Sequence, residues 1–110
     1  MDAKYIVVST TFDAREAAEA MAQELVERRL AACAQLTPIT SFYRWKGRHE
    51  RAEEVLLAAK TSAERSQELV DFISRHHPYE VPEILVTPVI GGGEPYLRWL
   101  TEATAAAHRE

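Results

Sequence analysis

The sequence is poor in cysteine and contains no long apolar run. Its one cysteine, Cys33 among 110 residues, excludes an intramolecular disulfide, which is typical of proteins kept in a reducing compartment. The longest apolar stretch, around residues 55–59, is far shorter than the roughly 20 residues that a membrane-spanning helix needs. Residues 1–4 open no signal-like hydrophobic segment. We therefore expect a cytoplasmic protein with no membrane partner.

Glycine and proline are also scarce, and basic residues are outnumbered by acidic ones. Four glycines and five prolines exclude collagen-like and low-complexity chains. Thirteen basic and seventeen acidic residues give a formal charge of −4, which disfavours a domain that binds nucleic acid by neutralising phosphates. Because 46% of the residues are hydrophobic, the chain has enough apolar surface for one core. We predict a single domain, residues 1–110.

The order of hydrophobic patterns predicts an α+β fold with elements β-α-β-β-α-β-α. Residues 4–11 are β-branched and read as a central strand buried on both faces. Asp13 and Glu16 have the spacing of a capping box, which predicts a first helix ending near residues 28–29. Residues 30–61 read as a long hairpin with its turn at residues 46–48. This order is that of the ferredoxin-like fold with an extra C-terminal helix.

The second half of the chain has equally clear boundaries. Thr61 and Glu64 repeat the capping-box spacing, and Pro78 stops the second helix. Residues 83–90 read as a strand, which Pro88 places at an edge or a bulge. Residues 91–93 are three glycines that form a loop, and Pro95 fits the start of the last helix. That helix is predicted to direct one face inward, formed by Tyr96, Trp99, Leu100, Ala103 and Ala107.

The length of the hairpin predicts an oligomer. A strand over residues 49–60 would span about 40 Å, whereas a compact domain of this size is roughly 35 Å across. Phe42, Tyr43 and Trp45 lie near the tip on both faces, and a two-stranded ribbon alone in water is only marginally stable. Another subunit is therefore expected to cover it. The alternative is a shorter hairpin that bends at Pro38 and packs on its own sheet.

Five motifs together resemble the CutA family of divalent-cation tolerance proteins. In chain order they are LAACAQL, SFYRWKG, EEVLLAAKT, HHPYEVPEILVTPV and YLRWL. The resemblance covers essentially the whole chain from Tyr5 to Leu100. The resemblance implies a ferredoxin-like subunit in a homotrimer joined by long β-hairpins, similar to the PII signalling proteins. It also implies a cytoplasmic role in tolerance of or response to divalent metals, especially copper.

Few side chains suit copper, which prefers imidazole and thiolate ligands. His76 and His77 are the only histidine pair, and neighbouring helical positions point about 100° apart, so both bind one ion only if the helix end is irregular. The resemblance implies that these two histidines are metal ligands. It also places a family cysteine where this chain has Ser9, which would weaken a copper(I) site. Cys33 matches the family's AAC motif, and its apolar neighbours favour a structural thiol over a metal ligand.

Other interpretations of these residues remain open. His76 and His77 are equally typical of a helix C-terminus that carries no ligand. His49 and His108 have no nearby partners and read as solvated surface, as do the carboxylates Glu50, Glu53 and Glu54. Tyr79 and Glu80, flanked by prolines, are typical of an ordered turn.

Other functions are also compatible with the sequence. A PII-like sensor would bind small anions in clefts between subunits, with Arg44, Lys46, Lys60 or Arg75 as the cationic groups. A trimeric scaffold would need no site at all. Catalysis is disfavoured, because the chain has no local signature that places Cys33 beside a histidine and a carboxylate.

Overall fold

The computed structural model describes residues 3–105; Ala107 and His108, for which we made predictions, lie outside that range. The observed order of elements confirms the predicted α+β class. The strands are β1 (Tyr5–Phe12), β2 (Cys33–Trp45), β3 (Arg48–Ser62) and β4 (Leu85–Val89). The helices are α1 (Arg15–Glu27), α2 (Ser66–His76) and α3 (Glu94–Ala103), and a short 3₁₀ turn (Ala63–Arg65) precedes α2.

The four strands form one antiparallel sheet in the order β2-β3-β1-β4. This is the ferredoxin-like arrangement, with β1 central and β4 at an edge, as predicted. Alternate residues of β1 and β3, such as Val8 and Leu57, are fully buried beneath α1 and α2 in the hydrophobic core. The prediction that β1 is buried on both faces was wrong, because Tyr5, Val7 and Ser9 on its other face are only half-buried.

Neither predicted capping box forms. Helix α1 is preceded by Ala14 in an extended conformation, without a side-chain cap, so Asp13 lies outside the helix start. Thr61 belongs to β3 and pairs with Ile6. Its side chain is therefore directed at the buried side of the sheet, where its hydroxyl has no hydrogen-bond partner. The strand continues past the position at which the local pattern indicated a helix start.

The second strand of the hairpin, β3, is longer than the strand predicted over residues 49–60. The turn of the hairpin contains Lys46 at φ 51° and Gly47 at φ 79°, the left-handed pair that characterises a two-residue hairpin loop. Pro38 does not bend the hairpin, because β2 is an edge strand on which a missing N–H is tolerated, and Pro38 pairs with Val55. Only residues 55–62 of β3 pair with β1. Residues 39–45 and 48–54 therefore pair with each other alone, and we call this two-stranded part the ribbon.

Helix α3 packs on the face of the sheet opposite α1 and α2, but it covers only one end. Its C-terminal turn contacts the sheet through hydrogen bonds between the hydroxyls of Thr101 and Tyr5 (2.6 Å) and between those of Thr104 and Ser62 (2.9 Å). Leu100 is buried. Tyr96 and Trp99, which were predicted to face inward, are more than 40% exposed.

The rest of this face we call the open face; it is formed by alternate residues of the four strands, among them Thr37, Leu56, Ala58, Val7 and Leu85. Within residues 3–105, no helix combines the length and apolar character that crossing a bilayer requires.

Candidate metal site

His76 ends α2 in a geometry suited to metal binding. Its Nδ1 lies 2.9 Å from the backbone carbonyl of Phe72, to which it donates, and its ring packs against the Phe72 ring at 4.2 Å. This bond fixes the proton on Nδ1 and leaves the lone pair of Nε2 free on an exposed side chain. Metal-binding histidines in proteins commonly donate their other ring N–H to a carbonyl in this way. His76 is therefore the better-prepared ligand of the pair.

His77 lies beyond the helix end, and both of its ring nitrogens have partners. Its Nε2 donates to the backbone carbonyl of Thr11 at 2.8 Å, and its Nδ1 accepts a hydrogen bond from the Tyr79 backbone N–H at 3.1 Å. The ring also stacks on Phe12, with centroids 4.4 Å apart. Burial lowers the pKa of His77, against smaller opposing effects of the Thr11 bond, Asp13 and Glu54. His77 is thus a neutral structural side chain, and it binds metal only if both bonds break.

Tyr79 links the His77 ring to Glu54 on the open face. Its hydroxyl donates to the Glu54 carboxylate at 2.7 Å, and its ring meets the His77 ring edge-on at 4.8 Å. Burial and the Glu54 carboxylate raise the pKa of the Tyr79 hydroxyl. Residues 77–84, which we call the crossing segment, lead from α2 to β4. Through Tyr79 the segment is bonded to Glu54 on the open face, and Ile84 packs against the core on the helix-covered side. Sequence reasoning read Glu54 as solvated; no local signal could reveal a partner 25 residues away.

Cys33 lies apart from His77. Cys33, at the start of β2, pairs with Lys60 and is half-buried on the open face. Lys60 lies level with Val7 of β1, whereas His77 bonds the carbonyl of Thr11, four residues further on. At about 3.3 Å per residue and about 4.8 Å per strand, that is roughly 13 Å along the sheet and 10 Å across it. Cys33 and His77 therefore cannot ligate the same ion within one subunit.

An open groove of about 400 Å³ lies beside His76, between α1 and α2. Its walls are mainly apolar and include Phe12, Met21 and Phe72. Glu24 and Arg28 line it as well and form an ion pair at 2.6 Å, with the Arg28 guanidinium 4.9 Å from the centre of the Phe72 ring. The groove gives an ion at His76 access to solvent.

The described residues fit a copper ion only in part. Among residues 3–105, no group of three or more histidine, cysteine, aspartate or glutamate side chains is arranged to hold a metal. His76 offers one free imidazole nitrogen, which suits copper(II). One subunit thus supplies one well-prepared ligand.

Sequence comparison identifies relatives over nearly the whole chain. The profile of the family described as CutA1 divalent ion tolerance protein matches residues 6–103. Human Protein CutA is 47% identical over 88 residues, which are 79% of this chain and 49% of the human protein. The divalent-cation tolerance protein CutA of Thermus thermophilus is 42% identical over 99 residues, covering 89% of this chain and 96% of that protein. The chain spans about half the length of the human and mouse relatives.

Solved structures agree with these relatives. CutA from Synechococcus elongatus superposes with a TM-score of 0.91 at 36% identity, covering 94% of this chain and 93% of that one. CutA1 from a psychrotrophic Shewanella gives a TM-score of 0.92 at 32% identity, covering 96% of this chain and all of that one. The predicted fold and resemblance are confirmed: the chain belongs to the CutA1 family of divalent ion tolerance proteins.

Proposed function

We propose that this protein is a cytoplasmic homotrimer that binds copper(II) at His76 and takes part in the response to divalent metals without catalysing a reaction. The observation that carries the proposal is the hydrogen bond from His76 Nδ1 to the Phe72 carbonyl, which presents Nε2 to solvent. Relatives named for divalent-cation tolerance support a metal as the ligand. Copper(II) is the divalent first-row ion that nitrogen ligands bind most tightly.

The trimer is supported by apolar surface that one subunit leaves uncovered. On the side of the ribbon that continues the open face, the exposed fractions are 46% for Tyr43 and 39% for Trp45. A two-stranded ribbon is marginally stable in water, and this one makes the chain 46 Å long but only 21 Å thick. The open face of the sheet also exposes Leu85. This side of the ribbon and the open face together form a surface that further copies of the chain would bury.

We propose that the protein is not an enzyme, because its cysteine and the candidate base His77 lie far apart. A nucleophilic cysteine needs a neighbouring base, and Cys33 lies on a different part of the sheet from His77. The ring nitrogens of His77 are already bonded to backbone groups. The cytoplasmic location rests on the lone cysteine.

Calorimetric titration with copper(II) tests the site directly. We expect the wild type to bind and the His76→Ala variant to lose at least tenfold in affinity, because the only free nitrogen of the pair is removed. His77→Ala is expected to keep its affinity. His49→Ala is the matched control, since His49 is an exposed histidine on the hairpin whose Nε2 accepts from Arg44.

Two outcomes would contradict the proposal. If the wild type releases no heat beyond dilution, copper is not its ligand. If His77→Ala loses binding and His76→Ala does not, the crossing segment must open for metal, and the assignment to His76 is wrong.

A further inference from the structure

The hairpin carries a charge opposite to that of the rest of the protein. Residues 42–51, which we call the tip, contain four basic side chains and one carboxylate, a formal charge of +3. The whole chain carries −4, so the remaining residues carry −7. Such a separation of charge attracts anions to the tip and repels them from the body.

The two faces of the tip differ in chemistry. Cross-strand pairing sets Phe42 opposite Arg51 and Arg44 opposite His49, so these four side chains share one face, which we call the basic face. Tyr43 and Trp45 alternate with them and point to the other face, where Glu50 and Arg48 lie opposite them. That face, which we call the aromatic face, carries one charge of each sign and is continuous with the open face of the sheet. In the proposed trimer, on which this step rests, further copies of the chain would cover the aromatic face and leave the basic face for a different ligand.

The basic face is organised by contacts within it. Arg44 Nη2 donates to His49 Nε2 at 2.8 Å, and the Arg51 guanidinium lies 5.7 Å from the centre of the Phe42 ring. Arg51 also forms an exposed ion pair with Glu53 at 3.0 Å. Arg44 has no carboxylate within ion-pair distance among residues 3–105. Two guanidinium groups, one of them unneutralised, thus flank an exposed aromatic ring.

These groups line an open cavity of about 370 Å³ together with Tyr43 and the Glu50 carboxylate. Its volume is within the usual range of small-ligand sites, roughly 300–1,000 Å³. Arginine forks bind phosphate oxygens in pairs, and an exposed aromatic ring stacks on a planar base, as in proteins that bind single-stranded nucleic acids. We propose that the basic face of the tip binds a nucleoside polyphosphate, with its phosphates on Arg44 and Arg51 and its base on Phe42.

The charge distribution favours a small ligand over a polymer. A nucleic acid longer than the tip would meet the body, which carries −7, and would be repelled there. A nucleoside polyphosphate is small enough to bind at the tip without reaching the negatively charged body. The competing occupant is the acidic body of a second copy of the chain, which the experiment below distinguishes.

Titration with ATP in the presence of a chelator tests this site without the metal. We expect wild-type protein to bind ATP and the Arg44→Gln, Arg51→Gln double variant to lose at least tenfold in affinity. Phe42→Ser should weaken ATP by about threefold or more and leave inorganic triphosphate unchanged, because only the base loses its partner. Arg98→Gln is the matched control: Arg98 is an exposed arginine paired with Glu94 on α3, and this variant should bind like wild type. Circular dichroism verifies that each variant is folded.

Three results would overturn the proposal. The first is no binding of ATP by the wild type at millimolar concentration. The second is equal affinity in the wild type and the double arginine variant. The third is a fall in the sedimentation mass of the double variant without ATP, which would make the basic face a contact between subunits.

Discussion

Removal of the His77 side chain tests whether the crossing segment is held by that ring. In His77→Ala the Thr11 carbonyl loses its hydrogen bond and the Tyr79 N–H loses its acceptor. Each such bond contributes a net ~0.5–1.5 kcal/mol. The lost stacking on Phe12 removes a further ~0.5–1.5 kcal/mol. We therefore expect the free energy of unfolding to fall by about 2–4 kcal/mol.

Urea denaturation at one fixed protein concentration measures this loss, because the stability of an oligomer depends on concentration. Tyr79→Phe should lose about 1 kcal/mol, since it removes only the bond from a partly exposed hydroxyl to Glu54. His49→Ala, on the exposed hairpin, should change stability by less than about 0.5 kcal/mol. A His77→Ala variant as stable as the wild type would refute the reasoning that this ring holds the segment.

Three further predictions follow from the structure. Burial lowers the pKa of His77, so as the pH falls the unfolded chain binds the extra proton before the folded chain does. The free energy of unfolding should therefore be full above about pH 6.5 and fall as the pH drops below it. The urea midpoint of His77→Gln should lose this pH dependence, whereas that of His76→Gln should keep it. Gly47→Ala should lower the free energy of unfolding by about 1–2 kcal/mol in the same assay, because an alanine is strained at a φ of 79°. The new methyl group would meet no atom within 4 Å, so the loss comes from the backbone angle and not from a clash. Gly91→Ala, at an equally open position, should cost less than about 0.5 kcal/mol. Tyr43→Asp should shift the sedimentation mass of the proposed trimer toward the 12.4 kDa subunit, because it replaces an aromatic ring with a second carboxylate opposite Glu50. An unchanged mass would show that this face of the ribbon is not buried.

The fold was predictable because its signals are local. A run of β-branched residues indicated β1, glycine at position 47 indicated the hairpin turn, and Pro78 indicated the end of α2. The second capping box failed because a four-residue spacing cannot show that Thr61 is already paired with Ile6 in the sheet. Tertiary pairing decided that boundary.

The candidate site was only partly predictable. The pair His76 and His77 is visible in the sequence, but their different roles are not. His77 bonds to a carbonyl 66 residues earlier in the chain, a contact that exists only after the sheet has formed. His76 bonds to Phe72, four residues earlier in its own helix. A predicted helix already brings these two residues together. Residue type therefore identifies both histidines, and only the fold separates the proposed ligand, His76, from the structural side chain, His77.

The most direct test of the account is a crystal structure of protein grown with copper(II), with anomalous data collected at the copper edge. We expect three chains that bury each other's ribbons and one anomalous peak per chain within bonding distance of His76 Nε2. A peak at Cys33 or at an opened His77, the absence of any peak, or a chain that crystallises and sediments alone would contradict it.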